Sequence, residues 1–211
     1  MDLDQIQTLC IDYLSEIMVS DPAHDISHIK RVVQNTLQLT ESENGNIAVT
    51  LPAAWLHDCV SVPKDSPLRN QASKLAAKEA VRFLESVDYP VDLLAQVYHA
   101  VEAHSFSANI ATETLEARIV QDADRLDAVG AIGISRCLLT GGSMGTPLYD
   151  PADPFADNRD LDDRRYTLDH FYCKLLGLAE TMKTDAGRAE AEKRTDYMRA
   201  FLQQLGSEIG S

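Results

Sequence analysis

The sequence has few aromatic residues and few cysteines. Aromatic residues make up 6% of the chain. β-Branched runs typical of strands are scarce while Ala and Leu are frequent, a composition that favours helix over sheet. The four cysteines are far apart and form no CxxC pair. We therefore predict reduced thiols and exclude a disulfide framework or a zinc knuckle.

Excess positive charge and long apolar runs are also missing. The net charge of −14 disfavours non-specific binding to DNA, RNA or anionic membrane. No run approaches the roughly 18 apolar residues of a membrane span, and the N-terminus lacks the basic and apolar regions of a signal peptide. We expect a cytoplasmic monomer or homodimer that has neither nucleic acid nor membrane as a partner. A small anionic substrate remains compatible, because a metal can reverse the charge inside one pocket.

The apolar periodicity predicts one all-α domain, a helical bundle over residues 1–211. A chain of 211 residues suits one sizeable core. Residues 22–130 form its metal-site core and residues 165–206 its C-terminal helices, with Pro52 expected in the first turn of its helix. Helices are predicted over 3–18, 22–42, 47–60, 69–87, 90–104, 113–138, 165–182 and 186–206.

A long irregular segment is predicted over residues 141–164, which are rich in Gly, Pro and Asp. Loops longer than about 12–15 residues are uncommon in compact domains and often have a function. We expect this loop to cover the substrate pocket and to help select the leaving group or base.

The His57-Asp58 pair lies in the apolar run 51–60. Burying an ionised carboxylate costs several kcal/mol unless a partner or a metal compensates it. A second pair, His24 and His28, is four residues apart and shares one face of a predicted helix. Imidazole and carboxylate groups near one apolar core indicate a metal site.

Acidic residues on the predicted helix 113–138 supply further candidates. Asp122 falls on the apolar stripe of Ile119 and Leu126, so we expect it to point inward. Asp124 lies off that stripe and is expected to be solvated or paired with Arg125.

Two histidines and two aspartates on three helices would make a mixed nitrogen and oxygen site. Such a set suits Mn²⁺, Fe²⁺, Co²⁺ or Zn²⁺ and leaves positions open for water and substrate. The absence of cysteine from the set argues against a closed structural zinc site. The candidate ligands are His28, His57, Asp58 and Asp122.

The order of these four residues resembles the metal signature of the HD-domain phosphohydrolases. Residues 23–32 resemble the opening helix of that superfamily. The resemblance extends over almost the whole chain to its YedJ-like subgroup, through residues 103–107, 119–133, 153–155 and 168–171.

This resemblance implies an all-α bundle that hydrolyses phosphoester or phosphoanhydride bonds, often of nucleotides. Some YedJ-like relatives are nucleoside triphosphate pyrophosphohydrolases. It implies one divalent metal, Mn²⁺ first, with Mg²⁺, Co²⁺, Fe²⁺, Ni²⁺ and Zn²⁺ as alternatives, and a nucleotide or other phosphate ester as substrate. Two alternatives stay open: a phosphomonoesterase or phosphodiesterase, and a regulatory nucleotide-binding domain with little catalysis.

Further residues have predicted catalytic or binding roles. His104 ends a helix, a position suited to proton transfer or phosphate contact, and Asp127 is a candidate acceptor for a ligand histidine. A second metal at His99 or His104 stays open, and His170 is expected to be structural. The predicted substrate-binding residues are His24, Lys64, Arg69, Lys74 and Arg125.

Overall fold

The protein is described here by a computed structural model that covers residues 2–17, 26–62, 66, 68–105 and 108–210. These described residues form α-helices and two 3-10 segments, Arg69–Gln71 and Leu175–Thr181, and contain no strand. The all-α prediction is therefore confirmed. The helices are α1 (Leu3–Ile17), α2 (Ile26–Glu43), α3 (Ile47–Leu56), α4 (Ala72–Ser86), α5 (Val91–Ala103), α6 (Leu115–Leu126), α7 (Gly130–Ser143), α8 (Asp169–Cys173) and α9 (Asp185–Ile209). The chain divides into two compact units, Met1–Asp124 and Arg125–Ser211.

Helix α3 is the centre of the first unit. Every residue from Val49 to Leu56 is buried, and α3 packs against α1, α2, α4 and α5. Ala53 and Ala54 are fully buried, so small side chains let neighbouring helices approach closely. Burying a side chain such as Leu56 contributes about 2 kcal/mol, and this packing fixes the end of α3 where the histidine–aspartate pair begins.

Pro52 is the residue in α3 that departs from its prediction. It is inside the helix and not in the first turn. A proline has no N–H, so the Ala48 carbonyl one turn earlier loses its usual helical donor. The Tyr89 hydroxyl donates a hydrogen bond to that carbonyl. The side chain of Tyr89 thus replaces the backbone hydrogen bond that Pro52 removes.

The helices predicted over 47–60 and 113–138 have different limits in the structure. The helix predicted over 47–60 ends at Leu56. The single helix predicted over 113–138 is wrong, because α6 ends at Leu126 and α7 begins at Gly130. Val129 is extended, with φ −124° and ψ 166°, and Gly130 has a φ of +72°, which glycine adopts without the strain of a Cβ.

The second unit is organised around α9, which packs against α7 and the 3-10 segment Leu175–Thr181. The helix predicted over 165–182 is present only as the short α8 followed by that segment. The long irregular region is shorter than predicted at its start, because α7 continues to Ser143. Within it, Arg159 donates to both carboxylate oxygens of the buried Asp169, at 2.6 and 2.8 Å. Among the helices described, none is both long and apolar enough to span a membrane.

Candidate metal centre

Two imidazoles meet where α2 begins and α3 ends. His28 is in the first turn of α2, and His57 immediately follows the last residue of α3. Their Nε2 atoms are 3.4 Å apart. His57 is fully buried, and 16% of the His28 side chain is exposed. The helix ends thus aim two nitrogen donors at one point.

Two carboxylates border this histidine pair. Asp58 Oδ2 is 3.7 Å from His57 Nε2 and 4.0 Å from His28 Nε2. Asp124 Oδ1, from α6, is 3.4 Å from His28 Nε2 and 4.0 Å from His57 Nε2. Because α3 ends at Leu56, Asp58 lies in the turn that follows the helix. We call His28, His57, Asp58 and Asp124 the HD cluster.

The ring nitrogen of His57 that faces away from the cluster has a defined partner. His57 Nδ1 is 2.7 Å from the Ala54 carbonyl, an acceptor, so Nδ1 carries the proton. A neutral His57 then presents the lone pair of Nε2 to the cluster, which is the form that binds a metal. Burial lowers the pKa of His57 and so favours this neutral form.

The surroundings of the two carboxylates of the cluster favour their ionised forms. Burial opposes ionisation of Asp58, but His57 and His104 outweigh it and lower the pKa of the carboxyl. Burial likewise opposes ionisation of Asp124, and the hydrogen bond from His28 together with the nearby imidazoles lowers its pKa. Asp58 and Asp124 have side chains that are 36% and 28% exposed, so they form the solvent-facing side of the cluster.

The donor atoms of the HD cluster fit a divalent cation. Bonds of about 2.1 Å separate neighbouring donor atoms by about 3.0–3.4 Å at octahedral or tetrahedral angles. The four donor atoms named above are 3.4–4.0 Å from one another in the measured pairs. Ligand atoms of His28, His57 and Asp58 all lie within 4.8 Å of one another. A small contraction around an ion would complete the coordination.

His104 is the fifth side chain at this place. It immediately follows α5 and is buried, and its Nε2 is 3.5 Å from Asp58 Oδ1. Its Nδ1 is 2.6 Å from the Val101 carbonyl, so this ring also directs Nε2 toward the cluster. Burial opposes protonation, but the hydrogen bond and charge of Asp58 raise the pKa of His104 above its ordinary value.

The acidic residue of α6 that meets the histidines is Asp124. We expected Asp124 to be solvated or paired with Arg125; its side chain is 28% exposed and contacts His28. Asp122, the predicted ligand, is fully buried. The apolar pattern of the sequence indicated Asp122 because it was interpreted as one buried stripe, whereas α6 has two buried stripes. Ala117 and Val120 precede Asp124 by seven and four residues and are fully buried. Those two residues are the sequence signal that places Asp124 on an inward face.

Two predicted site residues belong to the second unit and have partners there. Asp127 is buried and forms an ion pair with Arg136. The acceptors for Nδ1 of His57 and His104 are main-chain carbonyls and not Asp127. Arg125 donates to the Thr181 carbonyl at 2.6 Å.

The remaining predicted residues are outside the described part of the chain, exposed, or engaged in a turn. His24, Lys64 and the side chain of Arg69 are outside the described residues. Lys74 is exposed on α4. His99 Nε2 accepts a hydrogen bond from the Glu113 amide at 3.0 Å, so that nitrogen is engaged in a turn.

Comparisons with known proteins identify the family to which the chain belongs. The HD domain family model matches residues 25–129. The chain is 31% identical to YpgQ of Bacillus subtilis, over 98% of this chain and 93% of that protein. A crystal structure of an HD-superfamily hydrolase from Bacillus thuringiensis matches over 100% of both chains, at 33% identity and a TM-score of 0.79. The crystal structure of YpgQ in complex with ADP matches 98% of this chain and 94% of that one, at 30% identity and a TM-score of 0.71. This chain belongs to the HD domain family, among the HD-superfamily hydrolases.

Proposed function

We propose that the protein is a divalent-metal-dependent phosphohydrolase that acts on nucleotides, with release of pyrophosphate from a nucleoside triphosphate as its reaction. The observation that carries this proposal is that the carboxylates of Asp58 and Asp124 both lie 3.4–4.0 Å from the Nε2 atoms of His28 and His57, which are themselves 3.4 Å apart. Metal hydrolases bind their metal ion through a mixed set of nitrogen and oxygen ligands of this kind. Such a set leaves coordination positions open for water and substrate.

His28, His57, Asp58 and Asp124 would hold the metal. When bound, a divalent ion would polarise a phosphoryl oxygen and lower the pKa of the attacking water. The positive charge is needed because the chain itself carries −14 and would repel a polyphosphate. Asp58 and Asp124 line the solvent-facing side, so substrate enters past them.

The protein itself supplies orientation and a proton. The carbonyls of Ala54 and Val101 fix the rings of His57 and His104, so neither Nε2 has to reorganise when substrate binds. His104 Nε2 stands 3.5 Å from Asp58 Oδ1, and the raised pKa of its imidazole favours a proton on that atom. Protonated His104 would donate to the leaving group or to a phosphate oxygen.

The proposed substrate class is supported by the relative with a bound ligand. YpgQ has been crystallised with ADP. The present chain is 31% identical to YpgQ over nearly its whole length. A nucleotide is thus the class of ligand that we propose for this chain. Mn²⁺ is the metal we propose first, since two of the four proposed ligands are carboxylates, which suit Mn²⁺.

The test is a product analysis. Nucleoside mono-, di- and triphosphates are incubated with the protein in Mn²⁺, Mg²⁺, Co²⁺ or EDTA, and pyrophosphate and phosphate are measured separately. We expect pyrophosphate and a nucleoside monophosphate from triphosphates with a metal, and no product in EDTA. Phosphate from a monophosphate would make the protein a phosphomonoesterase. Equal turnover in EDTA would contradict the metal mechanism.

A further inference from the structure

A cavity of about 370 Å³ lies in the second unit, and every residue that lines it falls between Ala128 and Leu175. Small-molecule sites have volumes of about 300–1,000 Å³ and combine apolar walls with a few polar groups. Residues of α7, the irregular region after it and α8 contribute to this wall. The proposed hydrolysis at the HD cluster assigns this cavity no role.

The charge of the lining is opposite to that of the chain. Three cationic side chains, Arg136, Arg164 and Lys174, line the cavity against one carboxylate, Asp163. Arg136 is already paired with Asp127, so Arg164 and Lys174 against Asp163 leave a formal sum of +1, in a protein whose net charge is −14. Asp163 also accepts from His170 Nδ1 at 2.9 Å, which places an imidazole in the same wall. A cationic concavity in an acidic protein attracts anions.

The remaining wall combines apolar residues with three threonines and is shaped by close packing. Leu175 is buried, while Met144, which also lines the cavity, is 69% exposed and so offers an apolar surface to a ligand. A Cβ on Gly141 would lie 2.2 Å from Thr167 Oγ1, so only glycine allows α7 to approach Thr167 this closely. The cavity therefore has one face for an apolar group and several groups for an anion.

We infer that this cavity is a binding site for a phosphorylated small molecule with an apolar or aromatic part, such as a nucleoside diphosphate. The phosphate groups are held by Arg164 and Lys174, since guanidinium and ammonium groups form strong charge-assisted hydrogen bonds with phosphate oxygens. The ring system packs against the flexible thioether of Met144. Binding here requires no metal, so the inference stands or falls apart from the hydrolytic function.

A binding experiment in EDTA tests the site, with ADP as the probe and adenosine for comparison. Calorimetry is done on the unmodified protein, on Arg164→Glu and Lys174→Glu, and on Lys193→Glu. The last is a matched charge reversal on an α9 side chain that is 80% exposed and does not line the cavity. We expect ADP to bind in EDTA, to bind about tenfold more weakly to each cavity variant, and to bind Lys193→Glu normally. Adenosine should bind more weakly than ADP.

Cys137 reports whether the ligand occupies this cavity. Its thiol lines the wall and is partly exposed, whereas Cys10 and Cys59 are buried. Burial raises the pKa of Cys137 to about 11, so labelling with a thiol reagent should be slow enough to follow by mass spectrometry. In a Cys173→Ser background, saturating ADP should slow labelling of Cys137 about tenfold, and this protection should be lost in Lys174→Glu.

Three outcomes would overturn the inference. They are no ADP binding in EDTA, equal binding by all three charge variants, and labelling of Cys137 that ADP does not affect. Failure of nucleotide hydrolysis in Mn²⁺ is a separate result, because the binding experiment contains no metal and no turnover.

Discussion

Asp124 Oδ1 lies 3.4 Å from His28 Nε2, which joins the end of the first unit to the start of α2. That contact identifies the acidic side chain of α6 that faces the histidines. It also allows the choice between Asp124 and Asp122 to be tested directly.

Replacing Asp124 should remove metal binding. Asp124→Asn deletes one charged ligand, so we expect the Kd for Mn²⁺ to rise by roughly 100-fold, as measured by calorimetry on metal-free protein. Asp122→Asn is the matched control and should retain the metal. Each variant is first checked by thermal unfolding. Loss of metal from Asp122→Asn, with normal affinity in Asp124→Asn, would restore Asp122 as the ligand.

Replacing His104 should reduce turnover and leave metal content unchanged. If His104 holds a proton for the leaving group, His104→Ala should lower kcat by about 10²–10³-fold. Metal content is measured on the same sample by elemental analysis. A variant that loses the metal would show that His104 is a ligand, and a variant with normal kcat would exclude it from the reaction.

Three residues of the candidate metal centre could be predicted from the sequence. His28, His57 and Asp58 were identified from apolar context and from the family resemblance, and the structure brings their ligand atoms within 4.8 Å. The contact of Asp124 with the histidines was not predicted, because one buried stripe was assumed for α6 and the helix has two. The break before Gly130 was missed because local periodicity continues through it, while the backbone reverses in a left-handed conformation.

Tyr89 should contribute to stability through Pro52. Tyr89→Phe leaves the Ala48 carbonyl without its donor, so we expect a loss of about 1–2 kcal/mol in the free energy of unfolding by urea. In a Pro52→Ala background, the new N–H can satisfy that carbonyl, and Tyr89→Phe should cost less. Tyr98→Phe, whose hydroxyl contacts Glu102 at 3.3 Å on a helix surface, is the control. Equal costs in both backgrounds would show that Tyr89 and Pro52 are not coupled.

Asp169 should stabilise the second unit in a pH-dependent manner. The hydrogen bonds from Arg159 hold the pKa of this carboxyl below its ordinary value, against the effect of burial. A lowered pKa in the folded state means that the stabilisation is present above the unfolded pKa and is lost as the pH falls through the folded one. Asp169→Asn should cost about 3 kcal/mol at pH 7.

The pH dependence is measured as the difference in unfolding free energy between the unmodified protein and Asp169→Asn. This difference should stay constant from about pH 8 to pH 5 and shrink below about pH 4. Asp196→Asn, which removes an exposed carboxylate on α9, is the control and should change stability little. A difference that grows as the pH falls would contradict the assigned sign.

The most direct test of the metal centre is anomalous diffraction from crystals grown with Mn²⁺. We predict one peak at about 2.0–2.3 Å from Nε2 of His28, Nε2 of His57 and a carboxylate oxygen each of Asp58 and Asp124. A peak next to Asp122 in place of Asp124, or no peak at the HD cluster in fully metal-loaded protein, would contradict the proposed metal centre.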